Sequence, residues 1–362
     1  MGLLAYKANA ADAIERLRTL YGRRAEDRIF AVMEPPSRTV AEFRATHSEG
    51  PCAFPDLAER AAFWDKLCRE RAALEDDSIP SAYPSELDQA LYGGLLGGEA
   101  RFLCNANTGW ISSMVPPLLR DWSEFDRLRF DPHHPWWERY LTQLRVFSAA
   151  AADKFGVSHF ILIDNLNFVF ELFGATDTYV SLTERPEMVR RAAEFSFDLN
   201  VRVQEEFFAR VPLLAGGTCS NMVQWAPGRI LNESVDPFHM ASVPCFEEWG
   251  REPVERIFAR FDGGVLHIHG NGRHLLPAVA TLRGLRAVYA ADDRGFPRAF
   301  DVIAELKQRV GDLPLIVSAD YPSFADRLAR RQLVGGVLYH VYRVPGADDA
   351  NRCMNDVRSY RA

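Results

Sequence analysis

The feature that most constrains the fold is an alternation of short apolar runs with longer amphipathic stretches, which begins near residue 100. Helical spacing of apolar residues fills most of the intervals between the runs. Strands that alternate with helices form parallel sheets whose faces the helices cover. The chain is therefore predicted to be an α/β protein. The predicted strands cover residues 100–104, 159–164, 212–215, 264–269, 286–290, 313–318 and 335–341.

One more strand-like run lies near residues 28–34. Eight strands within 362 residues suit a (β/α)8 TIM barrel. We expect residues 1–99 to form N-terminal helical additions around that first strand, and residues 100–362 to form the remainder of the barrel. No interdomain linker is visible, so the two parts are predicted to be one structural unit.

Composition and charge exclude several classes of function. The net charge is −7 and no segment interleaves basic with aromatic residues, so we expect no nucleic-acid partner. No apolar run reaches the ~18 residues of a membrane span, and the first residues lack the pattern of a signal peptide. The six cysteines form no Cys-X-X-Cys pair, which excludes zinc-ribbon and thioredoxin-type sites. We therefore expect a soluble cytoplasmic protein without membrane contact.

Polar side chains follow five of the predicted strands, at the point where each strand ends. Catalytic groups of such barrels gather at the carboxyl ends of the strands. Asp and Asn at these positions also cap the helices that follow, which is the alternative for Asp164 and Asn165. The five strand ends carry Asp164 and Asn165, His267 and His269, Asp292 and Asp293, Asp320, and His340.

Two histidines one residue apart close the run at residues 264–269, and a Gly-Asn-Gly turn follows them. Side chains alternate between the faces of a strand, so His267 and His269 are predicted to point the same way. Such a pair suits a metal site or a catalytic pair. The alternative is two hydrogen-bonded histidines in a half-buried strand, because two ligands do not make a metal site.

This segment resembles the uroporphyrinogen decarboxylase superfamily, whose members carry a strand reading His-X-Cys-Gly-Asn at this point. Upstream and downstream segments agree with the superfamily in order and spacing over residues 155–362. The resemblance implies a (β/α)8 barrel. Porphyrinogen decarboxylases carry an N-terminal Arg-Gln-Ala-Gly-Arg motif, and this chain has Glu-Pro-Pro-Ser-Arg at residues 34–38 instead. The chain is therefore more similar to the other branch, the methyltransferases that act with corrinoid proteins.

In that branch, His-X-Cys and a distant Cys bind zinc and activate a thiol. Carried over residue by residue, the resemblance gives His267, His269 and His340 as ligands of zinc or another divalent metal. With three neutral imidazoles the net charge of the metal centre stays near +2, whereas two thiolates would neutralise it. Such a centre is a better Lewis acid and a better activator of water or an alkoxide.

Candidate catalytic residues come from the resemblance and from the strand ends. The resemblance places Asp236 and His239 in a loop that faces the site, and Asp164 is a candidate for proton management. Asn165 follows Asp164, Asn271 stands in the turn after the histidines, and Tyr342 is predicted to face the same mouth as His340. Trp110 belongs to an aromatic cluster that suits an organic cation, with core and lid packing as the alternative. Asn165, Asn271, Tyr342 and Trp110 are the candidate substrate-binding residues.

The resemblance implies methyl transfer between a small methylated substrate and a corrinoid or similar carrier, with the corrinoid held by a partner protein. A metal-assisted lyase or decarboxylase acting on a small carboxylate is the first alternative. A catalytically silent barrel that acts as a binding subunit is the second. A homodimer is compatible with each of these three functional hypotheses.

Overall fold

The computed structural model of the protein describes residues 3–362. Short 3-10 helices cover Ser85–Leu87, Trp122–Arg127, Asp236–Met240 and Gly270–Leu275. No helix in residues 3–362 combines the length and the apolar character that crossing a lipid bilayer requires. The α-helices of this range are α1 (Ala10–Tyr21), α2 (Arg38–Thr46), α3 (Leu57–Glu70), α4 (Ala90–Leu95), α5 (Pro135–Ala151), α6 (Asn165–Phe173), α7 (Ala175–Glu184), α8 (Pro186–Arg210), α9 (Val243–Trp249), α10 (Arg251–Arg260), α11 (Leu276–Val279), α12 (Ile303–Val310), α13 (Tyr321–Ala329) and α14 (Ala347–Ser359).

A parallel sheet of six strands forms the centre of the fold, in the order β1-β13-β12-β11-β10-β9. The prediction of an α/β fold with a parallel sheet is confirmed in this form. The strands are β1 (Ile29–Glu34), β2 (Gly50–Cys52), β3 (Ser81–Ala82), β4 (Arg101–Asn105), β5 (Trp110–Met114), β6 (Gly156–Val157), β7 (Gly217–Ser220), β8 (Gln224–Pro227), β9 (Leu231–Ser234), β10 (Gly264–Ile268), β11 (Leu285–Ala290), β12 (Leu315–Asp320) and β13 (Val337–Tyr342).

The strands of this sheet are apolar because side chains on both of their faces are buried. Every residue of β10 is buried, and four of the six residues of β12 and of β13 are buried as well. Helices cover the outer face, so the strands read as nearly continuous apolar runs. In β10, β12 and β13 polar side chains enter toward the carboxyl end, whereas β9 is polar from its second residue onward.

The sheet is not closed within residues 3–362. Between β9 and β1 lie the two-residue parallel pair of β3 with β6 and the isolated parallel bridges Ser158–Cys219 and Ile161–Asn232. Next to β1, the carboxylates of Asp76 and Asp77 accept the backbone N–H groups of Met33 and Ala31, where a neighbouring strand would otherwise supply carbonyls. A complete eight-stranded ladder is therefore not part of this structure.

Three predicted strands take other forms. The run at residues 159–164 has one isolated bridge, between Ile161 and Asn232, and forms no strand. The run at residues 100–104 becomes β4, which pairs antiparallel with β2 and β5 in a separate three-stranded sheet. The run at residues 212–215 has one isolated bridge, between Leu214 and Gly217, and is otherwise a turn. Its place in the main sheet is taken by β9, whose sequence Leu-Asn-Glu-Ser gives no apolar signal.

The inner face of the sheet has an apolar layer below a polar one. Phe30, Val265, Ala287, Ile316 and Leu338 belong to one core cluster, together with apolar residues of α1. Side chains two residues further along each strand point to the same face. The next inner-face layer therefore includes His267 on β10, Tyr289 on β11 and His340 on β13, which lie toward the carboxyl ends.

Candidate metal centre and adjoining cavity

The ends of β9 and β10 bring a carboxylate to the two histidines of the His-X-His segment. His267 is in register with Ser234 of β9, and the chain continues from Ser234 to Asp236 at the start of a 3-10 helix. Side-chain alternation puts His267 and His269 on the same face, as predicted. One donor atom each of Asp236, His267 and His269 lies within 4.8 Å of the other two. In residues 3–362 these three form the group able to hold a metal ion.

Asp236 Oδ1 is the point on which the surrounding imidazoles converge. It lies 3.0 Å from Nε2 of His267 and 3.8 Å from Nε2 of His269. Nδ1 of His239 lies 3.6 Å from the same oxygen. Ligands about 2.0–2.1 Å from a tetrahedral zinc ion are about 3.3 Å apart, and the two distances from Asp236 Oδ1 to His267 and His269 lie on either side of that value.

A second carboxylate fixes the ring of His269. Nδ1 of His269 lies 2.9 Å from Oδ1 of Asp293, and the other oxygen of Asp293 accepts the N–H of Gly270 at 2.6 Å. Nε2 of His269 is thereby left facing Asp236. Histidines that bind metal ions commonly hold their second nitrogen against a carboxylate in this way. The sequence signal for Asp293 was its place at the end of a predicted strand.

The charge state of the cluster favours metal binding. Burial would raise the pKa of Asp236, but its interactions with His267 and the other two histidines lower it to about 2. Burial lowers the pKa of His239 to about 4 against the opposing effect of Asp236. At neutral pH the cluster therefore contains an ionised carboxylate and a neutral His239. The buried atoms His267 Nδ1 and His239 Nε2 have no hydrogen-bond partner.

His340 lies outside this cluster, and the structure brings Asp236 rather than His340 together with His267 and His269. Strands β11 and β12 lie between β10 and β13, which puts three strand spacings of about 4.8 Å each between the two strands. His340 instead packs near Tyr289, with ring centroids 6.0 Å apart. Its Nε2 is buried without a partner, and burial lowers the pKa of the ring.

Asp164 and Asn165 lie at the start of α6 and away from the histidine cluster. The buried carboxyl of Asp164 interacts with that of Glu233 on β9. The backbone N–H of Asn165 donates to Oγ of Ser196, and its side-chain amide donates to the carbonyl of Trp249. Both residues line a separate cavity of about 170 Å³. The contacts of Asn165 fit the anchoring alternative. Asp164 stands at the N-cap position of α6, but its side chain accepts no capping hydrogen bond, and its Oδ1 is buried without a partner.

The remaining candidate substrate-binding residues fall into two places. Asn271 is exposed in the turn after the histidines, where its carbonyl contacts Nδ1 of His274. Tyr342 and Trp110 both line a cavity of about 840 Å³, which also borders Glu34 and Arg71. That cavity does not include the Asp-His-His residues.

A different cavity, of about 420 Å³, reaches the candidate metal centre through Asp236. Its walls are largely apolar, with Ile161, Ile163 and Phe170 among them. Glu171 is the other acidic residue that lines it. Nothing in the sequence connects Glu171 with the histidines, because the two segments are far apart along the chain.

Together, the fold and the site define an α/β protein with a parallel sheet that carries a His-His-carboxylate cluster at its carboxyl edge. The fold is similar to that of a methyltransferase from Methanosarcina mazei, with a TM-score of 0.59 over 98% of this chain and 99% of that chain. The two sequences are 10% identical, so the likeness concerns the fold alone. No protein-family model matches the sequence. A comparison with curated protein sequences gave no match.

Proposed function

We propose that the protein is a metal-dependent methyltransferase whose metal ion is held by Asp236, His267 and His269. The observation that carries this proposal is the cluster itself, with Asp293 behind His269, on a fold that resembles a methyltransferase. A carboxylate with two imidazoles is a donor set used by zinc enzymes and by several other divalent metals. Zinc is the ion that we propose first.

A bound divalent ion would supply Lewis acidity to a heteroatom of the methyl donor or acceptor. With one carboxylate and two imidazoles as ligands, the net charge of a divalent metal centre is near +1. It would be near +2 with three histidines, and near zero with one histidine and two thiolates. Asp236 stays ionised at neutral pH and acts as a ligand rather than as a proton donor. His239 is neutral and next to the cluster, so it is placed to accept a proton from the acceptor.

We further propose that the partner is a corrinoid protein and that the fold is a (β/α)8 barrel of the uroporphyrinogen decarboxylase superfamily. The short pair of β3 with β6 and the two parallel bridges support the barrel, since they continue the order of the sheet toward β1. The six free cysteines fit a reducing compartment such as the cytoplasm.

The first test is the metal content of purified, untagged protein by mass spectrometry. Near-stoichiometric metal is expected in the wild type, with loss in Asp236→Ala and His267→Ala. His340→Ala is the matched control, since it removes a buried imidazole from the same sheet and is expected to keep the metal. Metal lost in His340→Ala but kept in Asp236→Ala would restore the three-histidine set. A wild type without metal would favour the silent binding subunit.

The second test is methyl transfer with free methylcobalamin and small acceptors. Transfer to a thiol yields cob(I)alamin, a thioether and one proton, and the change in corrinoid absorbance reports it. Activity in the wild type that disappears in Asp236→Ala is expected. A protein that binds metal but only releases CO2 from small carboxylates would be the lyase alternative instead.

A further inference from the structure

The cavity of about 420 Å³ reaches the candidate metal centre through Asp236. Two more of its lining residues, Glu171 and Ser234, carry a buried side-chain oxygen without a hydrogen-bond partner, and Glu171 is the one that comes from α6. Oε1 of Glu171 accepts the backbone N–H of Gly93 at 3.1 Å. Oε2 is buried and has no hydrogen-bond partner. A buried carboxyl oxygen without a partner costs free energy, which a ligand in the cavity could recover by pairing with it.

Helix α6 presents a single face to this cavity. Asn167, Phe170, Glu171 and Gly174 all line it, and they are spaced by three and four residues as one side of a helix. The amide of Asn167 donates to the carbonyl of Ser234 at 2.5 Å, just before Asp236. The face that carries Glu171 is thereby fastened to the strand end that carries the candidate metal ligand.

Helix α4 is shaped to receive the Glu171 carboxyl. A Cβ atom at Gly93 would lie 2.3 Å from Oε1 of Glu171 and 2.3 Å from Cγ2 of Val115. Only glycine lets the carboxyl approach the backbone N–H this closely. Burial raises the pKa of Glu171 to about 8, so the group is mainly the neutral acid at pH 7. With Oε1 accepting from Gly93, Oε2 is the oxygen that carries the proton.

The remaining surroundings of the cavity define the ligand that it would take. Ile161, Ile163, Val115 and Phe170 give apolar walls, and Met114 and Met240 line the cavity while being 47% and 64% exposed. Exposed methionines adapt their shape to apolar ligands. The ionised Asp236 of this cavity already faces His267 and His269, so the polar group left for a ligand is the neutral Glu171. A neutral oxygen acceptor would complete the hydrogen bonding of Glu171.

We propose that this cavity is the substrate chamber and that Glu171 donates a hydrogen bond to an uncharged ether or carbonyl oxygen on a small apolar substrate. The proposal rests on the proposed function for the role of the metal centre at Asp236. It names the substrate class and a residue that determines specificity. Glu171 is in this view a substrate-binding residue with no part in holding the metal.

The test measures binding of anisole, ethylbenzene and tetramethylammonium by ligand-observed NMR. Anisole has an ether oxygen, ethylbenzene has the same number of heavy atoms without one, and tetramethylammonium is a small methylated cation. Anisole is expected to bind the wild type and Glu171→Gln with similar affinity, because a Gln amide also donates. Binding to Glu171→Leu should be about three- to tenfold weaker, as the loss of one hydrogen bond predicts. Ethylbenzene should bind all three proteins alike.

Three results would overturn the proposal. They are equal anisole affinity in the wild type and Glu171→Leu, no anisole binding to the wild type, and tetramethylammonium binding that Glu171→Gln abolishes. The last would mean a carboxylate that selects cations. Metal content and circular dichroism are measured on the same samples. A protein without metal that keeps the expected anisole pattern would refute the metal centre alone, and metal retained without that pattern would refute the chamber alone.

Discussion

Asp293 is the residue whose removal tests the metal centre without touching a ligand. It holds Nδ1 of His269 and the N–H of Gly270 at the same time. Loss of such a partner typically weakens metal binding 10- to 100-fold. We therefore expect Asp293→Ala to lower zinc affinity by about that factor, measured by competition with a chromophoric chelator. Asp293→Asn should lower the zinc affinity less, because its amide oxygen can still accept the Gly270 N–H.

The control for Asp293 is Asp326→Asn on α13, which neutralises an exposed carboxylate paired with Arg330. Exposed pairs of this kind contribute little, so this variant should bind zinc as the wild type does. Unchanged affinity in Asp293→Ala would mean that His269 is not a ligand, or that the backbone alone orients it.

At the residue scale the sequence predicted the histidine pair but not its third partner. Alternation along one strand is a local property, which is why His267 and His269 could be placed on one face. The choice between Asp236 and His340 depends on which strand lies beside β10, and no local pattern contains that information. On the side of β10 away from β11 lies β9, three of whose four residues are polar.

Helix α6 is the element whose position depends most on buried acids. Burial raises the pKa of Asp164 to about 7, and burial together with Asp164 raises the pKa of Glu233. The folded chain therefore binds these protons more tightly than the unfolded chain, whose Asp titrates near 3.9. The stabilisation is complete below the unfolded pKa and is lost as the pH rises through about 7.

This linkage predicts that the wild type becomes less stable between pH 5 and pH 9, and that Asp164→Asn flattens the decline. The Asn side chain keeps the shape of Asp but cannot ionise beside Glu233. Thermal unfolding at pH 5, 7 and 9 measures the difference, at roughly 2–4 °C for each kcal/mol. Equal slopes in the two proteins would contradict a raised pKa of Asp164 in the folded chain.

Helix α4 provides a test of how tightly the proposed chamber is built. The Cβ of Gly93→Ala would clash with Glu171 and Val115, so we expect a loss of about 1–3 kcal/mol in the free energy of unfolding and weaker anisole binding. Gly94→Ala in the same helix is the matched control, since its Cβ meets the Trp136 ring at 3.2 Å, which is tight but short of a clash. The free energies of unfolding of both variants are measured in denaturant. Because both replace Gly by Ala in the same helix, the difference between them reports the clash at Gly93 rather than the change in helix propensity. Equal losses would show that the contact with Glu171 is not specific.

At the element scale the second half of the chain was the predictable part. The predicted runs at residues 264–269, 286–290, 313–318 and 335–341 each overlap an observed strand, because burial on both faces leaves a long apolar signal. Strand β9 gave no such signal, since three of its four buried residues are polar and the amide of Asn232 is satisfied from elsewhere in the fold. Asn232 donates to the carbonyl of His159 and accepts from Ser220. Those partners come from distant segments and leave no pattern in β9 itself.

For the whole molecule, the candidate ligands join parts of the chain that are separate when it unfolds. Asp236 follows β9, while His267 and His269 belong to β10 and the turn beyond it. In the unfolded chain nothing holds the three donor atoms within 4.8 Å of one another, so metal should bind the folded state almost exclusively. Such binding stabilises by about 2.7 kcal/mol when the free metal is a hundredfold above the Kd.

We therefore expect added zinc to raise the Tm of metal-stripped wild type by several degrees, in proportion to the logarithm of the zinc concentration. His340→Ala lowers the starting Tm, because it leaves a cavity beside Tyr289, but it should show the same rise. Asp236→Ala should show almost none. Comparing the rises rather than the absolute Tm values separates loss of a ligand from loss of packing. A rise that persists in Asp236→Ala and disappears in His340→Ala would place the ion between β10 and β13, and would require a rearrangement of the strands that now separate them.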